Sequence, residues 1–325
     1  MERRLRNTRR ALAAALCFLA LAAAMPHAAA GSLRDALAQR MAQRGQGEAG
    51  LFGHEDDRGP ANLPAGIRIE RDVAFGPAPR QRFDVYAPPD ARGAPVILLV
   101  HGGAWMIGDK TNRNVIENKV ARWVPRGFLV ISTNYRMVPE AQVPQQAQDV
   151  AKALAFAQQR AASWGGDARR FVLMGHSAGA HLVALITADT RIAQEQGAQP
   201  WLGTVALDSG AYDVPRIMQD QHYRFYDSVF GNDPSTWAAD SPLQQLDGRI
   251  LPFLAVCSSQ REESCPQAEA FVAKARSYGT DVRLLRVDKS HAEINKTLGA
   301  DPAYTAQVEA FLRGLDPAVA RLLGR

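Results

Sequence analysis

Arg170-Phe171-Val172-Leu173-Met174-Gly175-His176-Ser177-Ala178-Gly179-Ala180-His181-Leu182-Val183 decides how the rest of the chain is read. The apolar run Phe171 to Met174 predicts a buried parallel strand that stops at Gly175. The alanine-rich stretch after Ala178 predicts a buried helix. Between them, Gly175-His176-Ser177-Ala178-Gly179 fits G-x-S-x-G in the strand–turn–helix setting that this pattern needs. The spacing has a steric reason. A serine on so tight a turn takes strained backbone angles, and side chains two residues to either side would strike neighbouring elements, so both positions must be small. The turn holds the Ser177 hydroxyl above the sheet edge at a helix N-terminus, whose dipole favours negative charge. Ser177 is therefore the candidate nucleophile.

Outward from this turn the pattern alternates strand and helix. Ile67 to Phe75 and Arg82 to Ala87 predict two strands joined through Gly76-Pro77 as a hairpin. Pro95 to Val100, Phe128 to Thr133, Leu202 to Leu207, Pro252 to Cys257 and Val282 to Val287 predict further strands. Helices are expected at Ala147 to Arg160, Pro266 to Ser277 and Pro302 to Leu312. Alternation with long apolar strands implies the α/β class, a mostly parallel sheet flanked by helices. Residues 211 to 248 lie between two strands and are expected to form a small cap inserted after the sixth strand. Its aromatics (Tyr212, Tyr223, Phe225, Tyr226, Phe230, Trp237) either line a pocket with Trp105, Met106 and Ile107 or form the cap's own core.

The chain divides into three parts. Residues 1–30 have a secretory signal pattern: an arginine-rich start, the apolar stretch Ala11 to Ala24, and Ala28-Ala29-Ala30 as an A-x-A cleavage site. The apolar stretch is too short to span a bilayer comfortably, which disfavours a stable membrane anchor. Thr8-Arg9-Arg10 also suits twin-arginine export, and both routes stay open. Residues 31–65 are expected to be a poorly ordered leader. Its His54, Glu55, Asp56 and Asp57 match no trusted ligand spacing, so no metal or cofactor is expected. Residues 66–325 form the folded domain. The formal charge is +5, of which residues 1–30 supply five arginines and one glutamate, +4. The remainder is near neutral, which gives no case for a nucleic-acid partner. Cys17 leaves with the signal. Cys257 and Cys265 remain, an even number in an exported chain, and predict one disulfide closing a short loop.

The strand Pro95 to Val100 runs into His101-Gly102-Gly103-Ala104-Trp105. Acyl transfer builds negative charge on a carbonyl oxygen, and preorganised backbone N–H groups must meet it. The N–H groups of Gly103 and Ala104, with that of Ala178, are the candidate oxyanion donors.

His101-Gly102-Gly103-Ala104-Trp105 with Gly108-Asp109-Lys110, Asn134-Tyr135-Arg136 and Gly175 to Leu182 resemble the α/β-hydrolase superfamily. More narrowly, the chain is similar to the esterase/lipase branch that holds the hormone-sensitive-lipase-like esterases, the BD-FAE-type feruloyl and acetyl esterases and the kynurenine formamidases. Ser209 to Asp213 and Ser241-Pro242-Leu243 are also similar to the BD-FAE members. The similarity runs from about Arg82 to the C-terminus and is specific for the branch, not for a substrate. It implies a serine hydrolase acting on small-molecule carboxylic esters, with a nucleophile, an acid and a histidine in that chain order. His291, after the last strand, is the histidine so placed. His101 and His176 are expected to be structural and His181 packed, while Arg136 and Asp149 are expected to form a structural ion pair.

The acid departs from the pattern. The branch carries an aspartate shortly after the strand ending near Cys257, often after a glycine. Here Ser258-Ser259-Gln260-Arg261-Glu262-Glu263-Ser264 has neither. Glu263 is the expected acid, since acid-Ser and a proline follow at similar spacing in related sequences; Glu262 is the alternative and Asp208 a third candidate. The resemblance leaves two rivals open: formamidase-type amide chemistry, and a noncatalytic hydrolase-like binding protein. Oligomeric state is not specified by the sequence.

Overall fold

The computed structural model describes residues 59–60 and 62–324. The export signal, most of the leader and the His54 cluster lie outside them. The strands are β1 (Arg68–Ala74), β2 (Arg82–Ala87), β3 (Ala94–Val100), β4 (Leu129–Thr133), β5 (Gly166–His176), β6 (Gly203–Leu207), β7 (Phe253–Ser258) and β8 (Val282–Val287). They form one sheet in the order β1-β2-β4-β3-β5-β6-β7-β8. The pairs β1–β2 and β2–β4 are antiparallel, and every other pair is parallel. Each strand expected from sequence is present.

The helices are α1 (Arg113–Trp123), α2 (Val143–Trp164), α3 (Ala178–Ala188), α4 (Thr190–Glu195), α5 (Val214–Gln219), α6 (Phe225–Phe230), α7 (Pro234–Trp237), α8 (Pro242–Gln245), α9 (Ser264–Ser277), α10 (His291–Lys296), α11 (Pro302–Arg313) and α12 (Pro317–Leu323). The short helices α5 to α8 fall between β6 and β7 and make the cap. Sequence periodicity does not announce α1, whose surface is largely polar; its Val115, Ile116, Val120 and Trp123 supply a narrow buried stripe.

Strand alternation divides the core between the two faces. On one face Ile97, Leu99, Val172, Met174, Val205 and Leu207 pack with Trp123 of α1 and with Val308, Phe311 and Leu312 of α11. On the other, Ala206, Phe253, Ala255 and Cys257 pack with Ala180 and Ala184 of α3 and with Ala268 and Phe271 of α9. Strand register then places the chemistry. Val100 is paired with Gly175, His176 with Leu207, and Ser258 with Val287. The carboxyl ends of β3, β5, β6, β7 and β8 therefore finish at one edge, where ligands bind in open α/β sheets.

Candidate active site

Ser177 stands between β5 and α3 with φ 55° and ψ −118°. Its neighbours explain why the chain accepts this strain. A Cβ at Gly175 would lie 2.2 Å from the Gly179 carbonyl oxygen, and one at Gly179 would lie 2.3 Å from that of Val100. The Ser177 N–H donates to the Leu207 carbonyl at 2.9 Å, which ties the turn to the end of β6. Ala178 opens α3, so its N–H has no partner within the helix.

The loop after β3 is strained in sequence. Gly103, Ala104 and Trp105 have φ of 115°, 50° and 60°. Outside glycine, five described residues have positive φ, and four of them are Ala104, Trp105, Ser177 and Asp208. Strain at this density collects at functional sites and persists only where surroundings hold it. The Trp105 carbonyl accepts from Val138 N–H and from Gln146 Nε2, each at 3.0 Å. Its indole N–H donates to His181 Nδ1 at 3.1 Å. His181 Nε2 donates in turn to the Asp240 carbonyl of the cap at 2.7 Å. Burial lowers the His181 pKa to about 4, so the ring stays neutral and keeps Nδ1 as an acceptor. His181 is thus packed, as expected, and it also links α3, the loop after β3 and the cap.

His291 is buried at the first position of α10, whose N-terminus is fixed by a capping box between Ser290 and Glu293. Its Nδ1 lies 2.6 Å from Asp208 Oδ2. Its Nε2 is buried and has no hydrogen-bond partner among the described residues. The neighbouring His176 packs its ring 4.5 Å from that of His291 and donates from Nε2 to the His291 carbonyl at 3.0 Å.

The acid expectation needs correcting. Glu263 does not meet His291; its carboxylate takes Arg261, with Nη2 at 2.5 Å and Nε at 3.1 Å. Glu262 borders a separate groove. The carboxylate at His291 is Asp208, fully buried at the end of β6. Its second oxygen accepts from the Ser258 N–H at 2.8 Å and from the Ser264 hydroxyl. Burial alone pushes this carboxyl up, but hydrogen bonds from His291 and Ser264 and the charge of Arg261 hold it well below the usual carboxylate range. The signal that marks it in the sequence is a buried apolar strand ending directly in an acid, Leu207-Asp208-Ser209-Gly210. For His291, burial lowers the pKa while Asp208 opposes that shift.

Ser177 opens into a cavity of about 20 Å³, bounded by Ala104, Trp105, Phe225, Tyr226, Gly210 and Arg261. Of the expected pocket pair, Trp105 borders this cavity and Met106 does not. A second groove of about 690 Å³ shares Gly210 and Tyr226 with it and continues along the cap past Arg216, His222 and Tyr223. The cap aromatics serve both expected roles. Phe225 and Tyr226 line the Ser177 cavity, whereas Tyr212 is fully buried against Phe271.

The sulfurs of Cys257 and Cys265 are joined in the structure, bracketing Ser258 to Ser264. Arg136 and Asp149 form the expected ion pair, bidentate at 2.8 Å and supported by Gln81.

Residues 83–205 match the BD-FAE family model. The chain is 31% identical over 249 residues to a protein named probable isoprenylcysteine alpha-carbonyl methylesterase, of Oryza sativa subsp. japonica, covering 70% of this chain and 58% of that one. It is 30% identical over 228 residues to esterase LipQ of Mycobacterium tuberculosis, covering 64% and 53%. The chain thus spans between half and three fifths of these relatives' length. Among solved structures, an inhibited esterase B from Lactobacillus rhamnosis superposes with a TM-score of 0.66 at 20% identity, covering 91% of this chain and 97% of that one. A truncated carbohydrate esterase from gut microbiota has a TM-score of 0.66 at 18% identity, covering 78% and 98%. The sheet order, the serine turn between β5 and α3 and these likenesses agree: the chain belongs to the esterase/lipase branch of the α/β-hydrolase superfamily.

Proposed function

We propose that this protein is a serine carboxylesterase in which Ser177, His291 and Asp208 act as the triad. The observation that carries the reading is the Asp208–His291 contact, with His291 Nε2 left unpaired and buried beside the serine turn. Ser177 Oγ attacks the ester carbonyl as His291 Nε2 takes its proton. Asp208 holds the Nδ1–H tautomer and stabilises the imidazolium. The N–H groups of Gly103, Ala104 and Ala178 receive the developing oxyanion. His291 then protonates the departing alkoxide, leaving an acyl group on Ser177. Water, deprotonated by His291, releases the carboxylic acid and restores the serine.

The cavity at Ser177 is about one water in volume, which supports a short acyl chain. The larger groove beyond Tyr226 suits the bulkier part of the ester. The arginine-rich start and A-x-A site of residues 1–30 favour export, and an oxidising compartment would keep the Cys257–Cys265 bond formed. Hydrolysis of a p-nitrophenyl ester series, acetate to decanoate, tests the reading. Wild type should favour the short esters, and Ser177→Ala should lower kcat by about 10⁶. Wild type lacking both turnover and labelling by a fluorophosphonate would refute it. Faster cleavage of matched anilides than of esters would turn the reading to amide chemistry.

A further inference from the structure

Where Asp208 meets His291, the loop after β7 brings an arginine to the same place, while its own Glu263 turns to that arginine. Arg261 Nη1 lies 2.8 Å from Asp208 Oδ2 and 2.9 Å from His291 Nδ1. The same nitrogen donates to the Asp208 carbonyl at 3.3 Å. The other side of the guanidinium holds Glu263. Arg261 is 12% exposed and packs over Gly210, where an added Cβ would come within 3.1 Å of Nη2. It also lines the Ser177 cavity.

We propose that Arg261, held in place by Glu263, is a positioning residue that keeps His291 uncharged into the acidic range, so that this ion pair sets the acidic edge of the enzyme's pH profile. The inference rests on the esterase reading above.

The physical reason is competition for one oxygen. Asp208 Oδ2 accepts from both His291 and Arg261, so its charge is already shared with a fixed cation before the imidazole is protonated. A positive charge in contact with the ring further disfavours the imidazolium. The other charged or titratable groups around His291 are otherwise engaged. His176 is kept neutral by burial and faces it with its ring. Lys119 of α1 reaches α10 through Asn295, where its Nζ donates to the carbonyl and to Oδ1. On the segment carrying His291, Lys289 pairs with Asp301 and Glu293 with Ser290. Tyr212, Tyr226 and Tyr304 are buried phenols whose pKa values burial raises, so they stay neutral. A lysine would give the charge without the fork. Only a guanidinium can meet Glu263 on one side and Asp208 on the other.

Removing the Arg261 charge raises the His291 pKa, so more of the base is protonated in acid and kcat/KM falls there. Removing the Glu263 charge leaves Arg261 uncompensated and shifts the edge the other way. The test compares kcat/KM from about pH 4 to about pH 9 for wild type, Arg261→Met, Arg261→Lys and Glu263→Gln, using a soluble acetyl ester. Alongside it, the His291 ring is titrated by NMR in ¹⁵N-histidine-labelled Ser177→Ala protein carrying the same changes, a readout that needs no turnover. Arg261→Met should move both midpoints up by about one pH unit, a tenfold loss at the acid end. Arg261→Lys should restore part of the shift, and Glu263→Gln should move both midpoints down. An equal loss at every pH, with the ring titrating at its wild-type midpoint, would overturn the proposal. So would Arg261→Met and Glu263→Gln shifting in the same direction. Should Arg261→Met fail to fold, the downward shift of Glu263→Gln decides alone. Failure of the esterase reading would look different: no Ser177-dependent turnover, with the ring midpoints still moving.

Discussion

The turn after β5 and the loop after β7 lie at the same edge of the sheet, yet they hold their geometry by opposite means. The serine turn is held by backbone sterics. Gly175 and Gly179 let three chain segments approach within contact, and the Ser177 N–H is pinned to Leu207. The β7 loop is held by side chains. Ser258 and Ser264 grip Asp208, Arg261 bridges Asp208 to Glu263, and the Ser258 hydroxyl donates to the Lys289 carbonyl at 2.6 Å, steadying the approach to His291. A sterically determined turn admits few sequences and fails abruptly. A side-chain network admits many sequences and fails in steps.

That contrast can be broken or sharpened by substitution. The larger effect belongs to the turn. Gly179→Ala adds a methyl 2.3 Å from a strand carbonyl in a place with no room to yield. It should cost about 3 kcal/mol or more of stability and abolish turnover, read by thermal unfolding and by ester hydrolysis. A stable, active Gly179→Ala would show that the turn is looser than described. The smaller effect belongs to the loop. Cys257 and Cys265 are eight residues apart, so replacing both by alanine should cost about 2.5 kcal/mol on loop-entropy grounds. Activity in the folded double variant should fall only several-fold, because Asp208 itself hangs from β6 and keeps His291. Complete loss of activity with the fold intact would mean that the loop, rather than β6, orients the acid.

The same contrast explains what the sequence made legible. Motifs fixed by sterics carry their own residues: Gly175 to Gly179 and His101 to Trp105 announce the tight serine turn and the loop after β3. The apolar strands announce the sheet, since a strand covered on both faces has little freedom of composition. His291 is legible from its place after the last strand. The acid is not. A carboxylate needs only to reach an imidazole nitrogen, and either of two adjacent loops can supply it. Chain position pointed to Glu263, but burial and the donors from Ser258, Ser264 and His291 fall on Asp208. The role of His181, joining Trp105 to the cap carbonyl of Asp240, was also invisible, because it depends on contacts distant in sequence.

The most direct test of the account is kcat/KM for Asp208→Asn beside Glu263→Gln, both shown folded by circular dichroism and measured on one short-chain ester at neutral pH. The account predicts a loss of about 10⁴ for Asp208→Asn, the scale of a triad acid losing its charge, and less than about tenfold for Glu263→Gln. The reverse order, with Glu263→Gln crippled and Asp208→Asn close to wild type, would contradict it.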